Sequence, residues 1–372
     1  MTARTSPRRS PVTLPVTLTP LHGFPEVHYG DGVADLVLRA LQHNGIELID
    51  GDVLVVSSKI VSKAMGLSAA SARQADVVLS QTVRVVAERT TASGVTRIVE
   101  SVAGPVMTAA GVDASNTADE STVLLLPADP DAVAAEILRG VQSGWATHSG
   151  DHLRLGVVLS DTAGRTWRIG QTDFALGAAG IQVLDDLRGS MDAGGRVLSV
   201  TERCVADEIA AAADLVKGKA SGIPSAHIRG LSRYVLDIEA ASGARELVRT
   251  GPGDWFSLGA AEAVRAALGI EPGSPAASEV GIPSIEPEES ATRAGRALRV
   301  ALLTCPEATG HVDGDAIALT AADDFTLGLA VARAAVALHG EGLPGAITRA
   351  AAPALTMGEE PTVQPGARVV FR

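Results

Sequence analysis

The chain contains four lysines, and all of them fall in two short segments. Everywhere else, positive charge is carried by arginine. Lysine offers a compact, strongly hydrated point charge with three rotatable donors, whereas arginine offers a flat fork, so the two are not equivalent beside a polyphosphate. These segments are therefore the first candidates for anion binding. The alternative is a chance cluster on a solvated surface. The segments are SSKIVSK (57–63), with Lys59 and Lys63, and VKGK (216–219), with Lys217 and Lys219.

Polar residues interrupt apolar stretches at SSKIVSK and at two further segments, GVDASN (111–116) and SDTAGR (160–165). In these two, Asp113 and Asp161 have hydroxyl or amide neighbours, the oxygen donors that Mg²⁺ or Mn²⁺ prefers. Spacing alone does not decide whether the two carboxylates converge. The alternatives are an Asx-type turn at Asp113 or Asn116, and a helix cap or an ion pair with Arg165 for Asp161.

A predicted strand that ends on Asp161 and Thr162 is also typical of aspartate-dependent phosphohydrolases. That pattern requires a second acid two residues after the first, where this chain has Ala163. Neither a G-x-x-x-x-G-K-[ST] loop nor a G-x-G-x-x-G turn occurs, so a nucleotide would be bound by some other scaffold. A metal-dependent phosphohydrolase remains an alternative function.

Composition limits the classes of partner. The formal net charge of −12 and the pI near 5.1 argue against nucleic acid and against an anionic membrane as partners. No apolar stretch reaches membrane-spanning length. The N-terminus lacks the apolar core of a signal peptide. Cys204 and Cys305 form no ligand spacing or disulfide framework, which favours a reducing cytoplasm.

Alternating apolar runs and helical patterns predict a mixed α/β or α+β fold. Strands are predicted at 53–58, 94–102, 105–111, 153–162 and 296–305, and helices at 34–43, 129–141, 202–219 and 324–343. In the second of these helices, Asp129 or Asp131 can cap the start and Pro130 suits the first turn.

The predicted domain organisation has four parts. Residues 1–14 are expected to form a disordered tail, and residues 15–260 the main domain. Residues 261–295 contain the end of a helix and a segment rich in Pro, Ser and Glu, which is typical of a linker or long surface loop. Residues 296–372 are predicted to form a small C-terminal domain of unknown function.

Five sequence blocks in order resemble the coenzyme F420-0:L-glutamate ligase family. The resemblance extends from about HGFPEV (22–27) to GDWFSLG (253–259), roughly two thirds of the chain. The blocks are GDVLVVSSKIVSKA (51–64), AAGVDASN (109–116), LLPADPDA (125–132), SDTAGRTWRIGQTDFALGAAG (160–180) and VADEIAAAADLVKGKA (205–220).

The resemblance implies a two-part α/β ligase body that forms an intertwined homodimer, followed here by a smaller C-terminal α/β extension. It also implies a reaction in which GTP and two divalent cations, Mg²⁺ or Mn²⁺, support the addition of L-glutamate to the deazaflavin precursor F420-0 through γ-linked amide bonds. The expected route transfers the γ-phosphoryl group of GTP to the precursor's carboxylate, giving an acyl phosphate that the glutamate amine attacks.

Site residues are carried over by matching motif. The resemblance implies a nucleotide-binding turn at Phe24, Pro25, Glu26 and Val27, GTP contacts from Ser58, Lys63 and Asn116, and metal ligands Asp113, Asp161 and Thr162. Arg165 and Arg168 are candidate clamps on the precursor, with surface ion pairing as the alternative. Asp207 and Glu208 are possible bases for the amine, but their helical spacing favours caps or salt bridges, so the base is unassigned.

One departure from the family pattern raises a further alternative. Where the family commonly has SKAEGR, this chain has SKAMGL, with Met65 and Leu67 in place of an acid and an arginine. A GTP-binding protein that has lost turnover is therefore a third possible function.

Overall fold

The computed structural model describes residues 15–115, 117, 121–150, 152–218, 221–349 and 365–371. The predicted tail, residues 1–14, lies outside the described residues, as does Asn116. Within the described chain, no helix is both long and apolar enough to cross a membrane.

Helices and strands alternate along most of the described chain, and the mixed α/β class is confirmed. The helices are α1 (Val33–His43), α2 (Ser58–Ala64), α3 (Gln74–Ser80), α4 (Pro130–Ser149), α5 (Val205–Lys217), α6 (Ala260–Ala267), α7 (Pro275–Val280), α8 (Ser290–Leu302) and α9 (Asp324–Gly340). The strands are β1 (Thr17–Pro20), β2 (Val53–Ser57), β3 (Ser68–Ala70), β4 (Thr82–Thr91), β5 (Gly94–Ser101), β6 (Val106–Thr108), β7 (Thr122–Leu124), β8 (Gly156–Arg165), β9 (Arg168–Ala179), β10 (Leu184–Asp186), β11 (Glu202–Cys204), β12 (Ser225–Arg229), β13 (Ala308–Asp313), β14 (Ala316–Ala321), β15 (Gly345–Arg349) and β16 (Gly366–Phe371).

Most of the predicted elements are confirmed. The helical patterns correspond to α1, α4, α5 and α9, and the first four predicted strands to β2, β5, β6 and β8. Helix α4 begins as predicted: the Asp129 side chain accepts the N–H of Ala132 at 3.0 Å, and Pro130 lies in the first turn.

Three predictions about elements are wrong. The segment 296–305 lies mostly in α8 and is not a strand, because its small apolar residues Ala294, Ala297 and Val300 recur at helical spacing on one buried face. The segment 272–290 is not a plain linker, since it contains α7, whose Ala277 and Val280 are buried. Strand β8 does not end at Asp161 and Thr162 but continues to Arg165, because it pairs with β9 as a hairpin.

The described chain divides into two compact units that are not contiguous in sequence. The first comprises the described residues within Met1–Val77, Val102–Pro105 and Gly111–Arg249. The second comprises those within Val78–Ser101, Val106–Ala110 and Thr250–Arg372. This grouping differs from the predicted boundaries at 260 and 296, because β4, β5 and β6 group with the C-terminal residues.

The first unit is built on a five-stranded sheet in the order β1-β12-β2-β8-β9, in which β2 and β8 are parallel and the other pairs are antiparallel. Helix α5 packs on one face, where Val55, Val158 and Ile209 share a core. Helix α4 packs against β8 and β9, and α1 packs on α4. The central strands are covered by helices and accordingly have continuous apolar runs.

The second unit contains a four-stranded antiparallel sheet in the order β13-β14-β16-β15. Helices α8 and α9 pack together against it around Val300, Ala334, Ile317 and Val369. The three-stranded sheet β4-β5-β6 belongs to the same unit, where α6 packs against β4.

Candidate functional site

A cavity of about 660 Å³ opens in the first unit. The turn from Phe24 to Val27 lines it, and so do Lys59, Lys63 and Lys217. These are the three lysines that the structure describes, since Lys219 lies outside the described residues. Two segments that are distant in sequence therefore bring their ammonium groups to one cavity, an arrangement suited to binding an anion.

The carboxyl ends of the parallel strands β2 and β8 meet beside this cavity. Ser57 is opposite Ser160 in the register, so the next residues of the two segments, Ser58 and Asp161, are neighbours. The Ser58 hydroxyl donates to Asp161 Oδ1 at 3.2 Å. Open α/β sheets commonly bind ligands at this edge.

The Asp161 carboxyl group has a strongly raised pKa. Burial raises the pKa of Asp161 to about 6, and the nearby carboxylates of Asp113 and Asp173 add to the effect. Within the described residues, the hydrogen bonds that oppose this shift come from the Ser58 hydroxyl and the Thr162 backbone N–H, not from a basic side chain. The excess negative charge makes Asp161 a suitable ligand for a cation.

Asp113 has a close cationic partner. Lys59 Nζ lies 2.7 Å from Asp113 Oδ2 and also donates to the Ser115 hydroxyl, while the Ser115 backbone N–H donates to Asp113 Oδ1 at 2.7 Å. Burial opposes ionisation, but Lys59 and Ser115 together lower the pKa of Asp113. The bond from the Ser115 N–H to Asp113 Oδ1 is the Asx-type contact given above as the alternative. Asp113 therefore combines a turn with an ion pair beside the cavity.

Lys63 Nζ lies 2.5 Å from Glu26 Oε1, which joins α2 to the predicted nucleotide-binding turn. The Glu26 side chain is 61% exposed and that of Lys63 is 17% exposed. An ion pair this open to solvent holds its partners weakly, so it can exchange Glu26 for another anion.

Sequence reasoning missed a buried network on β8, β9 and α5. Lys217 Nζ lies 2.7 Å from Asp173 Oδ2 and 2.7 Å from Ser160 Oγ. The Ser160 hydroxyl donates to Asp173 Oδ2 at 2.9 Å, and the Thr162 hydroxyl donates to Asp173 Oδ1 at 2.7 Å. Burial opposes ionisation, but Lys217 and the two hydroxyls lower the pKa of Asp173. The available signal was Lys217 itself, but nothing local identified Asp173 as its partner.

Ser58, Asp113 and Asp161 lie beside the cavity and are not among the residues that line it. Thr162 lines the cavity with Asp173 and Lys217. Arg165 and Arg168 are exposed at the end of the β8–β9 hairpin, and neither is among the residues that line the cavity.

The two candidate bases have structural partners. Asp207 accepts the backbone N–H of Ala175 at 2.9 Å, and Glu208 accepts from Arg203 at 2.6 Å. Both contacts fit the cap or salt-bridge interpretation, and the base stays unassigned.

In the part of the chain that the structure describes, no three His, Cys, Asp or Glu side chains converge as a ready-made metal centre. A cation at this site would therefore take hydroxyl and ligand oxygens in addition to carboxylates.

Comparisons with known proteins point to one family. A family model described as F420-0:Gamma-glutamyl ligase matches residues 23–230. The chain is 37% identical to the coenzyme F420:L-glutamate ligase of Methanothermobacter thermautotrophicus over 236 residues, which cover 58% of this chain and 89% of that protein. It is 35% identical to the enzyme of that name from Archaeoglobus fulgidus over 234 residues, and 34% identical to the one from Haloarcula marismortui over 255 residues. These cover 58% and 62% of this chain and 88% and 91% of those proteins.

Proposed function

We propose that this chain, which belongs to the F420-0:gamma-glutamyl ligase family, joins L-glutamate to F420-0 in a reaction driven by GTP and assisted by divalent cations. The observation that carries the proposal is the cavity lined by Lys59, Lys63 and Thr162. Beside it, Asp113 pairs with Lys59, and Asp161 accepts the hydroxyl of Ser58. Positive groups suit a triphosphate there, and carboxylates suit its accompanying cations.

Joining a carboxylate to an amine in neutral water is uphill, so the carboxylate must first become a good acyl donor. We propose that it attacks the γ-phosphorus of GTP, that the bond to GDP breaks, and that the resulting acyl phosphate is attacked by the glutamate amine with loss of phosphate and a proton. The difficulty is charge, since each pair of unit charges about 4 Å apart repels by roughly 4 kcal/mol at an effective dielectric of 20.

The chain's own residues address this repulsion. The Lys63 ammonium can leave the exposed Glu26 for a terminal phosphate, and Lys59, at 2.7 Å from Asp113, can turn to the same anion. Ser58 holds one oxygen of Asp161, which orients the carboxylate.

The donor set fits a divalent cation, because the half-buried Asp161 lies near two other carboxylates without a basic partner among the described residues. Asp113, Asp161 and Thr162 would hold it. A cation bound there would neutralise phosphate oxygens and spread the charge of the transition state.

The direct test is to incubate the chain with GTP, Mg²⁺ or Mn²⁺, L-glutamate and F420-0, and to follow products by mass spectrometry. We expect glutamyl addition with one GDP and one phosphate per bond formed. Phosphate release without glutamyl addition would favour the phosphohydrolase, and GTP binding without any product would favour the nucleotide-binding protein.

Replacing Lys63 by methionine is expected to weaken GTP binding about 10- to 100-fold, because one charge-assisted contact is worth roughly 1.5–3 kcal/mol. Calorimetric titration with GTP and Mg²⁺ measures the change. Lys63→Arg should recover part of the loss, since it restores charge without the compact ammonium. Arg154→Met, which removes a surface pair with Asp50 outside the cavity lining, serves as the control. Equal affinities of Lys63→Met and wild type would remove Lys63 from the GTP site.

We also propose that the chain is a homodimer, as the family resemblance implies. The sheet β4-β5-β6 exposes Val83, Ile98 and Val106, with relative exposures of 63%, 42% and 39%, and apolar groups of this kind are suited to burial against a second copy. Sedimentation velocity is expected to give a dimer at assay concentrations. A monomer under conditions of full activity would contradict the proposal.

A further inference from the structure

The hydrogen bonds that join Lys217, Asp173, Ser160 and Thr162 have no role in the reaction described above, which uses Thr162 only as a cation ligand. Lys217 and Asp173 are each only 4% exposed, although both border the cavity. Burying an ion pair is costly unless its remaining hydrogen-bonding capacity is satisfied. The directions of the hydrogen bonds in this network determine which lone pairs remain available to a group in the cavity.

The protons of the two hydroxyl groups, Ser160 and Thr162, have one consistent assignment. Lysine is a donor only, and Lys217 donates to both Ser160 Oγ and Asp173 Oδ2. Since Ser160 accepts from Lys217, its own proton goes to Asp173 Oδ2. The ionised Asp173 can only accept, so the single hydroxyl proton of Thr162 is donated to Asp173 Oδ1. The oxygen of Thr162 is left with lone pairs alone for any group in the cavity.

The strand pairing fixes this geometry. Thr162 is directly opposite Asp173 in the β8–β9 register, and Ser160 lies two residues earlier on the same face of β8. Lys217 reaches the pair from the last residue of α5, which packs against β9. Asp173 is thus held from two elements, and its second oxygen is occupied by the ammonium.

We propose that Asp173, held in place by Lys217 and Ser160, is a positioning residue for the Thr162 hydroxyl. It fixes the hydroxyl with its lone pairs facing the cavity, where they can coordinate a divalent cation. The inference rests on the proposed function in taking Thr162 as a ligand. A hydroxyl that donates to a carboxylate is a better oriented and more basic oxygen ligand, and outer partners of this kind typically change metal affinity 10- to 100-fold.

The test is a double-mutant cycle read out as Mn²⁺ affinity, by calorimetry in the presence of GTP and separately without it. Asp173→Asn is expected to weaken Mn²⁺ binding 10- to 100-fold, since an amide offers a donor where the network needs an acceptor. Thr162→Val, which removes the hydroxyl but keeps the shape, should weaken binding by a similar factor. The double variant should be no weaker than the weaker single variant, because Asp173 acts through Thr162.

Thr162→Ser keeps the hydroxyl and is expected to bind Mn²⁺ within a few-fold of wild type. Asp50→Asn, an exposed aspartate outside the cavity lining, is the matched control and should not change Mn²⁺ affinity. Multiplicative losses in the double variant would overturn the proposal, and so would wild-type affinity in Thr162→Val. The latter variant keeps the Asp173–Lys217 pair, so the test stands even if Asp173→Asn does not fold.

The outcome is separable from that of the proposed function. If wild type ligates glutamate while Thr162→Val keeps full Mn²⁺ affinity, the positioning role fails together with Thr162 as a ligand, and the proposed reaction stands. If Mn²⁺ binding follows the expected pattern while wild type forms no glutamyl product, only the proposed reaction fails.

Discussion

Replacement of Asp161 by asparagine is expected to lower metal-dependent glutamate ligation by roughly 10²–10³-fold, the usual cost of losing one electrostatic stabiliser of a transition state. The same change should make the cation-free protein more stable at pH 7. Asparagine keeps the shape and the Oδ1 acceptor that Ser58 contacts, but it lacks the charge that is costly in this environment.

The sign of the stability effect follows from the pKa. Burial and the neighbouring carboxylates raise the pKa of Asp161 to about 6 in the folded protein, from an ordinary value of 3.8. The folded state therefore holds a proton that the unfolded state has lost between about pH 4 and pH 6, and this group's contribution to stability declines as the pH rises through that window. At pH 7 the ionised group costs about 1–3 kcal/mol, which the asparagine variant does not incur.

Urea denaturation in EDTA at pH 4, 5, 6 and 7 measures the effect as the difference between variant and wild type. That difference isolates Asp161 from Asp113 and Asp173, whose pKa values are lowered by their lysine partners despite burial and whose contributions have the opposite slope. Asp50→Asn is the control of opposite sign, since a hydrogen bond from Arg154 lowers the pKa of Asp50. A variant of Asp161 that is less stable than wild type at pH 7, or that retains full turnover, would contradict this account.

Replacement of Glu341 by glutamine is expected to destabilise the second unit by about 3–5 kcal/mol, the cost typical of removing one partner from a buried ion pair. The Glu341 side chain is 4% exposed and accepts from Arg265 at 2.8 Å and from Arg296 at 2.6 Å. Arg296 has a second carboxylate partner in Glu288 at 2.8 Å, but Arg265 would retain no carboxylate among its partners in the described residues, only the carbonyl of Gly281 and a neutral amide oxygen.

Thermal and urea denaturation measure the loss, followed by a probe within the second unit such as hydrogen exchange of α8 and α9. Glu279→Gln, an exposed glutamate on α7, should shift stability by less than about 0.5 kcal/mol. A decrease in the free energy of unfolding below 1 kcal/mol for Glu341→Gln would contradict this prediction, because it would mean that water replaces the contacts that the two arginines lose.

The features that could be predicted from the sequence are those whose residues lie within one short segment of the chain. The lysine segments and the acidic segments GVDASN and SDTAGR are local, and the structure places Lys59 and Lys63 with Lys217 around one cavity. Helices α1, α4 and α9 were predictable because the apolar pattern of each helix lies within its own segment.

The features that escaped prediction depend on residues distant in sequence. The Asp173–Lys217 pair joins positions 44 residues apart, and only the pairing of β8 with β9 and the packing of α5 bring them together. The segment of helix α8 was predicted to be a strand. A short run of apolar residues fits the period of a helix as well as that of a buried strand, and the sequence does not show which surface the run packs against. Arg165 and Arg168 were candidates on charge alone, and the hairpin carries them to an exposed end.

The second unit draws its strands and helices from separate stretches of the gene. The backbone N–H of Gly259 bonds to Val86 O, that of Thr90 bonds to Pro283 O, and Glu262 meets Arg89. Truncation after Arg249 would remove these partners of β4. The backbone groups along the strand and the charged side chain of Arg89 would then lose the contacts that satisfy them. The C-terminal third is accordingly not a detachable appendage, and any shortened version of this protein would have to redesign β4 as well.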